Sequence, residues 1–202
     1  MDINFIFSII ILIFSVVLHE LAHGIAAEAQ GDPTPRLQGR ITLNPFKHLD
    51  PIGSLLVPFL TYNLGGFIFG WAKPVEFNPY NLRNQRWGEA IIAIAGPLTN
   101  LVIAFFFGMI LRFSGVLNFD QNVLNFIAII VIVNLALAIF NLIPVPPLDG
   151  SKILFAFLPL RMQYVRTFIE NFSFLLILGV LFLGGSYISY FINLFFKILV
   201  GI

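Results

Sequence analysis

An apolar run over residues 3–29 carries two histidines and a glutamate, His19-Glu20-Leu21-Ala22-His23, in its C-terminal half. The run is long enough to cross a bilayer, since ~20 helical residues span the hydrocarbon. Ionisable side chains in such a segment are costly and call for a partner. On a helix, residues four apart share a face, so His19 and His23 are placed to bind one metal ion. Glu20 lies about 100° round the helix from His19, within reach of a water on that metal. Two imidazoles, a neighbouring carboxylate base and an open position are the parts of a zinc hydrolase. One protein ligand is still missing from the set.

The rest of the chain must fold around such a segment. Of 202 residues, 58% are hydrophobic and 10% are charged, against roughly 25% charged in a soluble domain. The expected fold is an all-α polytopic membrane protein, with about four to six transmembrane or re-entrant segments in contact with the lipid bilayer. The formal net charge of +1 leaves no basic field for nucleic acid. There is no cysteine, so disulfides and thiolate ligands are excluded. Any metal must be held by His, Asp, Glu or water. The first run starts Met-Asp without a basic region and reads as a span, not as a cleaved signal. No internal repeat and no low-complexity tail is visible.

Gly31-Asp32-Pro33 closes the first run. Residues 36–45 partly alternate and hold β-branched side chains, which predicts a short β-strand or hairpin ending at Pro45. A strand beside the metal site is placed to pair with an extended peptide, making Arg40, Ile41, Thr42 and Asn44 candidate substrate contacts. Residues 51–71 are apolar but carry Gly53, Pro58, Gly65, Gly66 and Gly70, so full crossing, re-entry and interfacial seating all stay open. Residues 71–86 form a polar loop. Residues 87–113 read as a span containing Ala95-Gly96-Pro97-Leu98-Thr99-Asn100, and residues 123–143 as another, with Asn134 and Asn141 inside it. The second runs into Pro144-Val145-Pro146-Pro147-Leu148-Asp149-Gly150. Residues 152–166 are a short amphiphilic stretch. Residues 168–199 supply a last span with a candidate break at Gly184-Gly185.

Charge and helix direction can be tested against each other. His19 and His23 lie near the C-terminal end of the first span, and Asp149 lies just past the C-terminal end of the span at 123–143. They meet only if those two spans run the same way, which requires that residues 51–71 do not cross fully. That arrangement puts nine of the eleven Lys and Arg residues on one side and leaves Arg112 and Lys197 on the other. Positive residues gather on the cytoplasmic side. The expectation is a multi-pass protein of the plasma (inner) membrane, N-terminus outside, with its site opening toward the cytoplasm.

Asp149 is the leading candidate for the third ligand, although Asp-Gly before an apolar helix also reads as an N-cap. Asp50, Asp120, Glu28 and His48 compete with it, and Asp120 falls on the wrong side in the preferred topology. Asn141 needs hydrogen-bond partners in its span and is suited either to an oxyanion contact or to holding helices together. Asn100 and Asn134 read as interhelical glue. His48 reads as a turn histidine or a substrate contact.

These motifs, taken together and in order, resemble the site-2 protease family of intramembrane zinc metalloproteases. His19 to His23 matches its HExxH. Asn141-Leu142-Ile143-Pro144 followed by Leu148-Asp149-Gly150 matches its second signature, Gly39 to Asn44 looks like its strand segment, and Ala95 to Asn100 looks like its AGPxxN run. The resemblance covers about residues 5–155. It implies one Zn2+ on His19, His23 and Asp149, Glu20 as catalytic base, Asn141 as a substrate or oxyanion contact, and membrane-protein substrates with a transmembrane segment. It is to the short form of the family, since the 202 residues hold neither a PDZ domain of ~90 soluble residues nor a CBS pair. The expected organisation is a single membrane domain over 1–202, with a C-terminal membrane segment at 168–200; homo-oligomerisation stays open. A zinc-binding pseudo-protease or scaffold that holds clients without cutting is the alternative, and retention of Glu20 argues against it. A transporter would usually show repeats.

Overall fold

The computed structural model describes residues 3–50, 52–65, 73–117 and 119–201. In chain order its helices are α1 (Ile3–Ala29), α2 (Thr34–Leu37), α3 (Val57–Gly65), α4 (Gly88–Arg112), α5 (Ser114–Leu117), α6 (Gln121–Asn141), α7 (Asp149–Phe157), α8 (Gln163–Asn171) and α9 (Ser173–Val200). Four of them, α1, α4, α6 and α9, are long and apolar enough to cross a membrane. The shortest, α6, has 21 residues, or about 32 Å at 1.5 Å per residue, which matches a ~30 Å hydrocarbon core. In lipid the backbone must satisfy its own hydrogen bonds, and helices do so within the segment.

Helix α4 lies at the centre, packed against α1, α6, α7 and α9. Its buried positions include Ala93, Gly96, Pro97, Asn100, Ala104, Gly108 and Leu111, a stripe of mostly small residues. Such residues let helix backbones approach closely. A Cβ at Gly108 would lie 3.0 Å from Leu199 Cβ of α9. Ala104 and Leu111 join Ile127, Val131 and Leu135 of α6 in the main apolar core. The outward faces carry Phe105, Phe106, Phe182 and Leu183 to the lipid.

Contacts fix the direction of the bundle. Ser15 of α1 meets Asn134 of α6, and His19 meets Asp149 just beyond α6, so α1 and α6 run the same way. His19 meets Asn100 and His23 meets Ile92, so α4 runs against them. Arg112 at the end of α4 donates to Ile198 O near the end of α9. The site therefore lies toward the end that carries the C-terminus of α1 and the N-terminus of α4. This is the relation between α1 and α6 that the charge argument required.

Two expectations need correction. No β-strand occurs among the described residues between Arg36 and Pro45. Thr34–Leu37 is one helical turn, Gly39 turns the chain at φ +64°, and Pro45–Lys47 is a 3-10 turn. Arg40 N donates to Pro35 O and Thr42 N to Arg40 O, so these backbone groups are satisfied locally and have no ladder to join. The last span does not break at Gly184-Gly185, since α9 runs through both. The interruption falls at Phe172, between α8 and α9. In residues 51–71, the described helix comprises a π-turn at Ile52–Leu56 and α3, five and nine residues. That is about 21 Å, short of the hydrocarbon thickness; residues 66–72 lie outside the described part.

The loop after α1 is anchored by Asp32, which is fully buried. Its carboxylate accepts from Thr34 N at 3.2 Å, Thr34 Oγ1 at 2.7 Å, Asn78 N at 2.6 Å and Asn81 Nδ2 at 2.8 Å. Burial alone would raise its pKa, but the donors from Thr34, Asn81 and Asn78 outweigh it and hold the carboxyl below its usual range. A lowered folded-state pKa stabilises the fold above the unfolded value near ~3.9, and this is lost as pH falls through the folded value. Asp32→Ala is expected to cost about 2–4 kcal/mol at neutral pH by leaving buried donors unpaired. In thermal unfolding, the gap between wild type and variant should shrink below about pH 4. A gap that widens in acid would contradict the assignment.

Candidate metal centre

Helix α1 presents His19 and His23 on one face, ring centroids 4.6 Å apart and nearly perpendicular. Both are buried. The Nε2 atoms of both rings lie 3.1 Å from the same oxygen, Asp149 Oδ2. Asp149 is the first residue of α7 and is itself buried. It reaches the histidines because the turn before it packs tightly: a Cβ on Gly150 would lie 2.2 Å from Leu142 O. Lys152 Nζ stands 3.9 Å from the other carboxylate oxygen, Oδ1.

The far sides of the two rings are also held. His23 Nδ1 lies 2.7 Å from the carbonyl of Ile92 on α4. A carbonyl only accepts, so Nδ1 donates, and the neutral ring keeps its lone pair on Nε2. His19 Nδ1 lies 2.6 Å from Asn100 Oδ1. Between the rings and α4 there is room only for a hydrogen at Gly96, where a Cβ would lie 2.5 Å from both Nε2 atoms. Two imidazole lone pairs and a carboxylate oxygen thus converge on one point, an arrangement that a cation resolves. Donors ~2.0–2.1 Å from tetrahedral zinc stand ~3.3 Å apart, close to the 3.1 Å observed. An all-N,O donor set with one open position fits Zn2+ in a catalytic site.

Glu20 is one residue from His19, half-buried, and shares a possible ligand cluster with both histidines, one ligand atom of each within 4.8 Å. Its Oε2 accepts from Val75 N at 2.8 Å. The loop carrying Val75 is stitched to the α1 end by Lys73 N to His48 O and Arg83 N to Gln30 O, both 2.8 Å.

The competing ligands are engaged elsewhere. Glu28 pairs with Arg36. Asp50 accepts from Ile52 N and Gly53 N. Asp120 caps α6 at the opposite end, accepting from Asn122 N. His48 is fully buried with Nε2 3.0 Å from Thr42 O. The candidate substrate contacts largely bond to one another: Arg40 donates to Lys47 O, Thr42 Oγ1 accepts from Asn44 N, and Asn44 caps the 3-10 turn. Ile41 packs beside Gly24 of α1, its Cγ1 3.4 Å from where a Cβ there would stand. Asn141 is not drawn into the histidine cluster by any described bond; one of its amide hydrogens goes to Leu137 O, a turn back on α6. Asn100, Gly96 and the Val75 amide were not legible as site elements. The AGPxxN run marked Gly96 and Asn100 by resemblance, and their four-residue step, the helical period, put them on one face.

Membrane-spanning helices around a buried His-His-carboxylate centre with a glutamate beside it define a membrane-embedded metallohydrolase. Comparison with known proteins narrows the class. The model of peptidase family M50 matches residues 7–123 and 114–184. The relative named "Putative zinc metalloprotease YwhC", of Bacillus subtilis, is 39% identical over 188 residues, covering 89% of this chain and 82% of its own. "Putative zinc metalloprotease Rip2" of Mycolicibacterium smegmatis is 30% identical over 84% of this chain and 64% of its own. "Zinc metalloprotease MJ0392" of Methanocaldococcus jannaschii is 30% identical over 78% of this chain, which spans 36% of that relative. No solved structure matches at comparable significance. The chain belongs to peptidase family M50, the site-2 protease family of zinc metalloproteases.

Proposed function

We propose that this chain hydrolyses peptide bonds in or near transmembrane segments of membrane-protein substrates. One zinc would be held by His19, His23 and Asp149, with Glu20 as the base. The observation that carries this reading is the convergence of both Nε2 atoms on Asp149 Oδ2, 3.1 Å from each, with Glu20 adjacent. Zinc in such a site acts as a Lewis acid and lowers the pKa of a water toward ~7. Glu20 takes the proton of the attacking water and passes it to the leaving amine. The Val75 amide holds Oε2, which leaves Oε1 to face the reacting water. The second amide hydrogen of Asn141 is available to the oxyanion. A transmembrane helix hides its peptide bonds in its own hydrogen bonds, so the client must unwind locally. Arg40, Ile41, Thr42, Asn44 and His48 form a bonded loop near the α1 end of the site, a rigid rim suited to holding an unwound segment. Residues 1–202 act as one membrane domain in this reading. Its test is proteolysis in liposomes with single-span clients and mass spectrometry of the fragments. Cuts within or beside the span support it; cuts confined to soluble loops, or none, refute it.

The site faces the cytoplasm in this proposal, since the site end carries nine of the eleven basic residues. The chain has no native cysteine, so one placed at Arg83 gives a clean probe. It should react with an impermeant thiol reagent only after the membrane is opened. Labelling from outside intact cells would overturn the orientation.

A further inference from the structure

We infer that Asn100 is a positioning residue for the metal centre: an amide relay from α6 and α1 locks its side-chain oxygen toward His19, fixing the His19 tautomer whose Nε2 is free for zinc. The inference rests on His19 being a ligand.

The relay is buried throughout: Asn100 and Asn134 are 0% exposed, and Ser15 and His19 are 4% and 5%. Its polarity follows from two backbone carbonyls. Asn134 Nδ2 lies 2.9 Å from Ile130 O and 3.0 Å from Ser15 Oγ. Ile130 O only accepts, so the nitrogen of Asn134 must face it, and Asn134 Oδ1 must face the other way. That oxygen lies 2.9 Å from Asn100 Nδ2, whose other neighbour is Ser15 O at 3.4 Å. Both neighbours are acceptors, so Asn100 cannot turn its oxygen toward them. Asn100 Oδ1 is thereby directed at His19 Nδ1, 2.6 Å away. An amide oxygen only accepts, so His19 carries a hydrogen on Nδ1, and the neutral ring then presents its lone pair at Nε2. His23 reaches the same state more simply, through Ile92 O.

Two amides inside an apolar bundle are costly unless fully paired. Here both hydrogens of Asn134 and both of Asn100 have acceptors, and each oxygen has a donor. A metal-ligating histidine whose other nitrogen is held in this way is oriented and made more basic, and loss of the partner typically costs 10–100-fold in metal affinity. Glue between helices would need the amide–amide bond but would be indifferent to which nitrogen of His19 bears the hydrogen.

The test uses full-length protein purified in detergent at about pH 8. Zinc affinity is read by competition with a chromophoric chelator, and 15N spectra are recorded on histidine-labelled, zinc-free protein. With three histidines in the chain the spectra can be assigned from single His variants. Wild type should bind zinc and show His19 protonated on Nδ1. Asn100→Leu should lose about 10–100-fold in zinc affinity and mix the tautomers of His19 but not of His23. A Leu variant within twofold of wild type, or His19 protonated on Nε2 in wild type, overturns the inference. If the Leu variant does not fold, the wild-type spectrum decides: His19 protonated on Nδ1 supports the inference, and protonation on Nε2 overturns it. Wild type that binds no zinc refutes the ligand reading itself, whereas zinc-binding wild type with an unmoved Leu variant refutes only the role of Asn100.

Discussion

Glu20→Gln is expected to lower peptide-bond cleavage by at least about 10²–10⁴-fold, the contribution of a positioned general base, while leaving zinc bound. Glutamine matches glutamate in size, and its Oε1 can still accept from Val75 N, the bond that holds the glutamate at 2.8 Å. The side chain should therefore stay in place without being able to take a proton. Among the described residues no hydrogen bond joins Glu20 to His19, His23 or Asp149, so their convergence should persist. The check is cleavage of a single-span client in liposomes beside zinc content on the same preparation. Full activity would refute Glu20 as the base. Loss of zinc together with activity would make Glu20 a ligand.

The second large effect is expected at Gly96→Ala. Alanine usually favours a helix over glycine by about 1 kcal/mol, so propensity alone predicts a gain. The site predicts the opposite, since the new Cβ would lie 2.5 Å from Nε2 of both histidines and 2.6 Å from His19 Cε1. The rings cannot swing aside cheaply, because Asn100 and Ile92 O hold their far nitrogens at 2.6 and 2.7 Å. Either α4 moves away from α1, at an overpacking cost of about 1–3 kcal/mol, or the Nε2 atoms leave their meeting point. Both routes should reduce zinc occupancy and bring activity below about 1%. Gly185→Ala on α9 is the control, with nothing within 4 Å of its added Cβ. Wild-type zinc and activity in Gly96→Ala would contradict the placement of α4.

The parts of this centre that follow from spacing along one helix were legible in the sequence. His19, Glu20 and His23 needed only the helical period, and the parallel course of α1 and α6 followed from charge counting. Asp149 aside, which the order of the motifs singled out, what depends on contact between helices was not legible. Nothing in the chain shows that Asn100 faces His19 instead of a neighbouring asparagine alone, or that the carbonyl of Ile92 meets His23. The Val75 amide on Glu20 depends on how a loop folds back, which has no local signature. The strand expected over residues 36–45 failed for a local reason. Pro35 and Gly39 favour turns, and the turn bonds of Arg40 and Thr42 use backbone groups that a ladder would have needed. Two β-branched residues, Ile41 and Thr42, are too little to outweigh them.

The most direct test of the centre is zinc per chain in purified wild type against Asp149→Ala, since it needs no knowledge of the substrate. Asp149 Oδ2 is the atom on which both Nε2 atoms converge. About one zinc per wild-type chain and far less in the variant is the expected result. Wild-type zinc content in a folded Asp149→Ala protein would place the third ligand elsewhere and contradict the centre described.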